Sequence, residues 1–295
     1  MKIKQSFGYS CFTVFNTLFM LVLSFLMLYP MLYVVFASFS DSNAFLMHEG
    51  MLFWPVSPNL QSYIKVLENP MVWVGYKNIL FILVVGTSLN MVMTILCAFV
   101  LSRRNLKGSG IMTGFIVFTM YFGGGLIPGY LNIRSLGLDN TLWALIIPGA
   151  MSAYNMIIMR TSFRGIPDSL EESATIDGAS PLTILLRIII PLSGATIAVI
   201  VLYYAVGHWN AWFNAMVYLR DRSKYPLQLV LREILIQNDT SAMMSTGQEM
   251  EVDQKSIAET IKYAVIVVST IPILAVYPFL QKYFVKGVMI GAIKG

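Results

Sequence analysis

From Gln5 to Ser40 the chain does not carry one charged side chain, and a run of that length exceeds the roughly 20 apolar residues that an α-helix needs to cross a hydrocarbon core. Further apolar runs follow. With polar breaks between them they predict six transmembrane helices, at about 11–37, 74–100, 111–130, 141–160, 190–218 and 261–284. The fold class expected is an all-α integral membrane protein.

Composition agrees. Of the 295 residues 57% are hydrophobic and 12% charged, where a soluble domain carries about 25% charged residues. The first run has a basic start, but it is about twice as long as the 7–15 residue apolar region of a signal peptide and lacks a clean small-x-small cleavage site, so it is read as a retained first span. No soluble domain of useful size remains between the runs. Residues 1–295 are therefore taken as one transmembrane domain, with a core at about 70–285, a link at about 165–190 and a tail at 285–295.

The net charge of +5 does not point to nucleic acid, because the Lys and Arg are scattered at the ends of apolar runs rather than gathered on a face. They set orientation instead. Lys2, Lys4, Arg103, Arg104, Lys107, Arg160, Arg164, Arg187, Lys282, Lys286 and Lys294 fall on one side, which predicts cytoplasmic N- and C-termini. Cys11 and Cys97 have no metal-type spacing and receive no chemistry.

That orientation makes one polar link, "LEESATIDGASPLTILLRIIIP" from Leu170 to Pro191, cytoplasmic. Pro167 closes the exit from the fourth run. Ser169 and Glu172 have the spacing of a capping box, and Asp168 and Glu171 suit the positive end of a helix dipole. Gly178 is placed to stop that helix in a left-handed turn. Ser180 and Pro181 then start a second helix as N-cap and first-turn proline, expected to run through Arg187 and Pro191 into the fifth span.

Glu172, Ser173, Ala174, Gly178, Ile188, Ile190 and Pro191 resemble the EAA loop of importer-type ABC transporter permeases, with Ser173 for the first Ala and Ile190 for Leu. The flanking "GGLIPGYLNIRSLGLDNTLWALIIP", "HWNAWFNAMVYL" and "QKYFVKGVMIGAIKG" are similar to the carbohydrate-importer type, in the branch serving oligosaccharides and polysaccharide fragments. The resemblance covers roughly residue 50 to the C-terminus. It implies a type I ABC importer permease fold in a bacterial inner (cytoplasmic) membrane. The partners it implies are a second permease subunit, two cytoplasmic ATPase subunits, an extracellular or periplasmic sugar-binding protein and the lipid bilayer. It places the coupling to the ATPase at Glu171, Glu172, Ala174, Asp177, Gly178, Ala179, Ser180, Pro181 and Pro191, and brings the tail residues Gly287, Gly291 and Lys294 to the same interface.

The chain has no GxxxxGK[ST] phosphate loop, so ATP and Mg belong to the partner ATPase subunits and no cofactor or catalytic residue is assigned here. For the substrate path the candidates are Tyr121, Phe122, His208, Trp209, Asn210, Trp212 and Asn214, since aromatic faces stack on sugar rings and amides bond hydroxyls; an interfacial aromatic belt is the competing reading for the second group. The glycine run beside Tyr121 can unwind a helix or admit close packing, and packing is favoured. The alternative function, an ATP-independent secondary transporter or channel for small polar solutes, calls for membrane-embedded carboxylates. All 15 Asp and Glu fall in the links.

Overall fold

The computed structural model describes residues 7–103, 105–244 and 259–275. Among these the chain is helical without a strand, apart from one isolated bridge between Ser40 and Pro58. The elements are α1 (Phe7–Ser38), α2 (Ser42–Leu46), α3 (Gln61–Glu68), and α4 (Pro70–Phe81), which continues through a π turn at Ile82–Gly86 into α5 (Thr87–Ser102). Then come α6 (Ser109–Tyr121), α7 (Leu126–Ser135), α8 (Trp143–Ile146), α9 (Ala153–Arg164) and α10 (Asp168–Ile176). A further π turn at Leu185–Ile189 joins α11 (Pro181–Ile184) to α12 (Ile190–Leu192), followed by α13 (Gly194–Asn210), α14 (Phe213–Tyr218) and α15 (Leu227–Met244). The last described segment, 259–275, is also helical.

Among the described residues two helices are long and apolar enough to cross a membrane, Phe7–Ser38 and Pro70–Ser102, and they coincide with the first two predicted spans. The third, fourth and fifth predicted runs are broken, while the described part of the sixth, 261–275, is helical. The third turns by 114° between α6 and α7, where Phe122 to Gly125 leave the helix. Gly125 has φ +86 and ψ 178, a conformation open essentially only to glycine, and a Cβ at Gly123 or Gly125 would meet nothing within 4 Å. The run therefore unwinds the helix at this corner. The fourth predicted span is interrupted at 147–152, where Pro148 has no N–H to donate and Ser152 caps α9 by accepting from Asn155 N at 3.4 Å. The fifth turns by 86° at Ser193, so the helix expected to run unbroken from Pro181 into the span does not.

The molecule divides into two compact units. One holds the described residues of 1–69 and 233–271, the other those of 70–232 and 272–295. In the first, α1 is apolar along its length and almost wholly exposed until Ala37 and Ser38, as expected of a helix whose surround is hydrocarbon. Tyr33, Phe45 and Tyr263 meet edge to face at 5.6–6.3 Å. Thr260 Oγ1 joins the hydroxyls of Ser42 and Ser62 at 2.6 and 2.8 Å.

The core of the second unit lies between α5 and α9, closed by the 184–189 segment and α13. Met91, Ala98, Leu101, Met156, Met159, Phe163, Ile189 and Ile200 form it, all buried. Ala174 of α10 and Ala179 just after it pack against this cluster.

Candidate functional site

The link from Pro167 to Pro191 is an ordered elbow. α10 starts two residues earlier than the capping-box spacing predicts. Pro167, with φ −59 and ψ 132, is the N-cap and makes no side-chain cap bond, so Ser169 already lies inside the helix and the box does not form. Asp168 and Glu171 keep the acidic first turn.

The exit is as expected. Gly178 has φ +80, its N–H donates to Thr175 O at 3.0 Å, and Ala179 N–H donates to Ala174 O at 2.9 Å. These two bonds complete a Schellman turn. Ser180 Oγ then accepts from Thr183 N at 3.2 Å, with Pro181 in the first turn of α11. Four consecutive residues, Gly178 to Pro181, thus fix where α10 ends and α11 begins.

The helix between these ends has two faces. Ala174 is turned to the core, and Glu171 forms an ion pair with Arg103 at the end of α5. Glu172, Ser173 and Asp177 are exposed, and Ile176 is 86% exposed among them. Beside α10 lies an open cavity of about 700 Å³ lined by Ser102, Arg103, Arg164 and, from α10, Glu171, Glu172 and Ile176 among others. Pro191 is exposed on α12, just before the Ser193 corner.

The second set of candidates surrounds the break at 147–152. Asn90 Nδ2 donates to Gly149 O at 2.5 Å, and His208 Nε2 lies 2.7 Å from Asn90 Oδ1. With its amide nitrogen committed to the carbonyl, Asn90 can only accept from the ring, so the imidazole carries its hydrogen on Nε2. Close by, Tyr204 OH accepts from Ser152 N at 2.9 Å and shares a 2.7 Å hydrogen bond with Thr94 Oγ1. A broken helix in hydrocarbon must have its freed backbone groups satisfied from within. Asn90 and Tyr204 supply that, and His208 secures Asn90.

Trp209 is buried, 6.5 Å from the Tyr76 ring, and faces an apolar cavity of about 250 Å³ lined by Leu80, Leu83, Leu202 and Ala205 among others. That makes it an interior side chain. Asn210 and Asn214 are exposed, Asn210 donating back to Val206 O at 3.0 Å. Trp212 packs under the Arg232 guanidinium at 4.2 Å and against Phe213. Tyr121 and Phe122 are 77% and 66% exposed at the α6–α7 corner. Gly287, Gly291 and Lys294 lie outside the described residues.

No protein-family model matches the chain. It is 41% identical over 284 residues to Protein LplC of Bacillus subtilis (strain 168), covering 96% of this chain and 95% of that protein. It is likewise 41% identical over 277 residues, 94% of this chain and 96% of the relative, to the polygalacturonan/rhamnogalacturonan transport system permease protein YtcP of the same organism. A crystal structure of a bacterial ABC transporter involved in the import of the acidic polysaccharide alginate contains a chain that superposes with a TM-score of 0.85 at 34% identity, covering 96% of this chain and 100% of that one. The chain belongs to the carbohydrate-importer family of ABC transporter permeases.

In this permease the sequence signals identified the elbow but missed what holds it. Arg103 was legible only as one of several topology charges, yet it ties α5 to α10. Asn90, Thr94 and Tyr204 gave no signal beyond being polar residues in apolar runs. That property marks a buried interior partner, and it was available for all three.

Proposed function

We propose that this permease is the non-catalytic, pore-forming subunit of an ATP-driven saccharide importer in a bacterial cytoplasmic membrane. It would form half of the pore beside a second, homologous permease, with six spans and both termini on the cytoplasmic side. Two cytoplasmic ATPase subunits hold ATP and Mg, and an extracellular or periplasmic binding protein delivers the sugar; this chain holds no cofactor. Oligosaccharides are the proposed cargo. Acidic polysaccharide fragments are the first to test, because the alginate importer handles an acidic polysaccharide and YtcP is named for polysaccharide transport.

The observation that supports coupling is the outward face of α10, where exposed Glu172 and Asp177 flank exposed Ile176 on a helix fixed at its end by a Schellman turn. A short rigid helix moves as one body when an ATPase closes on nucleotide. Gly178, Ser180 and Pro181 fix its direction, and the tail residues Gly287, Gly291 and Lys294 are proposed to reach the same interface. Along the pore, exposed Tyr121, Phe122, Asn210 and Asn214 are proposed to meet sugar. His208, Trp209 and Trp212 are proposed to shape the wall.

The assignment is tested by Glu172→Lys in the complex purified with its own partner chains. The ATPase subunits should bind at least about tenfold more weakly, a loss of about 1.4 kcal/mol, while the permease remains in the membrane. Retention of the ATPase subunits with full binding-protein-stimulated ATP turnover would refute the docking assignment.

A further inference from the structure

We infer that Arg103 and Glu171 form an internal strut that makes the coupling helix and the inner end of the second span one rigid body, which assigns Glu171 to force transmission and not to contact with the ATPase. This rests on the proposed function, since it concerns how the motion of α10 reaches the membrane.

The guanidinium is held from two directions. On the α5 side Nε and Nη2 donate to Ser102 Oγ at 3.2 and 2.9 Å, Nε also donates to Phe99 O at 3.3 Å, and the group lies 4.5 Å above the Phe99 ring. On the α10 side Nη1 pairs with the Glu171 carboxylate. One planar cation therefore grips the last turn of a span and the first turn of the coupling helix at once. Only arginine, with five donors in a fixed fork, can do this; lysine presents a single point charge.

Packing alone does not make the same connection. Ala174 and Ala179 rest on the core near the far end of α10, but at Glu171 the helix borders the open cavity of about 700 Å³ whose walls include Ser102, Phe163 and Arg164. Side chains across an open cavity transmit little push, because repulsion ends as soon as contact is lost and a gap of about 0.5–1 Å already forfeits a quarter to a half of the attraction. The ion pair crosses at this point. Its side chains are only 25% and 20% exposed, so it is screened less than a surface pair. Burial lowers the Arg103 pKa and the Asp168 carboxylate acts to raise it; the group stays protonated throughout the physiological range.

The test measures the distance between spin labels on cysteines introduced at Leu170 on α10 and Val100 on α5, in the assembled complex, nucleotide-free and trapped with ATP, Mg and vanadate. In the otherwise unaltered protein one narrow distance should appear in both states. Arg103→Gln and Glu171→Gln should each let it shift by about 2 Å or more on trapping, the scale of helix displacements in such transitions. The charge swap Arg103→Glu with Glu171→Arg should restore the single distance. Where a Gln variant does not fold, Arg103→Lys and Glu171→Asp take its place with the same expected shift.

A distance unchanged in the single variants overturns the strut, as does a distance that already moves in the unaltered pair or a swap that restores nothing. Loss of the ATPase subunits from Glu171→Gln, to the extent expected of Glu172→Lys, also overturns it by making Glu171 a docking residue. Should the ATPase subunits bind Glu172→Lys normally, the docking reading falls by itself. The nucleotide-free distance, broadened or not in Glu171→Gln, still decides the strut.

Discussion

The corner between α6 and α7 turns by 114° and the corner between α12 and α13 by 86°, yet the two are built from opposite materials. At the first, Gly123 to Gly125 carry the turn, Gly125 in a backbone region closed to other residues, with open space around each missing Cβ at 123 and 125 and exposed Tyr121, Phe122, Leu126 and Ile127 on either side. At the second no residue has positive φ. Ser193 is buried, its N–H shared between Ile189 O at 3.0 Å and Ile190 O at 3.2 Å, and Ile189 beneath it is wholly inaccessible. One corner is set by backbone conformation; the other is set by the packing of Ser193 and Ile189, although Pro191, Leu192 and Gly194 around it stay exposed.

The difference predicts how each corner fails. Gly125→Val should have the largest effect, because a β-branched residue cannot hold φ +86 with ψ 178, and forcing it there costs about 1–3 kcal/mol. Gly123→Ala, two residues away with room for its methyl and no positive φ, should lie within about 0.5 kcal/mol of the parent. Thermal unfolding of the two variants in the same detergent measures the gap. Equal losses would break the claim that conformation governs this corner.

Gly178→Ala tests the elbow that feeds the second corner. Its φ of +80 is left-handed and its Cβ would be unobstructed, so the cost is the steric one of that region alone, about 1–2 kcal/mol. The expected sign is a lower unfolding temperature together with weaker ATPase binding, since the same glycine ends the Schellman turn that directs α10. A stability loss without weaker binding would mean that the direction of α10 does not depend on its exit.

The elbow was legible in the sequence and the corners were not, for the same physical reason. Gly178, Ser180 and Pro181 act on their own backbones and immediate neighbours, so local rules suffice. The start of α10 lies two residues earlier than expected because Pro167 competes for the N-cap, and a capping-box spacing is silent about that competitor. Hydropathy averages over a window, so it reports a run as apolar without registering that Gly125 or Pro148 interrupts its helix. The groups that repair those interruptions come from far along the chain: Asn90 reaches Gly149 and His208, Tyr204 reaches Ser152, and Arg103 reaches Glu171. Nothing in a window of either strand of sequence connects them.

The second corner permits a finer test, with the smallest expected effect. Among the described residues, Ser193 Oγ and Thr87 Oγ1 are buried without a hydrogen-bond partner. A buried unsatisfied hydroxyl costs about 1–3 kcal/mol. If Ser193 were needed at the bend for its side chain, that cost would be offset by a bond, and the backbone bonds from its N–H would be secondary. The geometry gives the opposite order: the N–H closes the turn onto Ile189 O and Ile190 O, its own carbonyl accepts from Ile197 N at 3.0 Å, and the hydroxyl takes no part. Ser193→Ala keeps every one of those backbone bonds and removes the unsatisfied oxygen, while leaving a void smaller than a methyl group. The two changes oppose, and the variant should unfold within about 0.5 kcal/mol of the parent or slightly above it. A loss of 1 kcal/mol or more on the approximate scale of a buried hydrogen bond would show that the hydroxyl has a partner in the working protein, and the packed corner would then be a polar one.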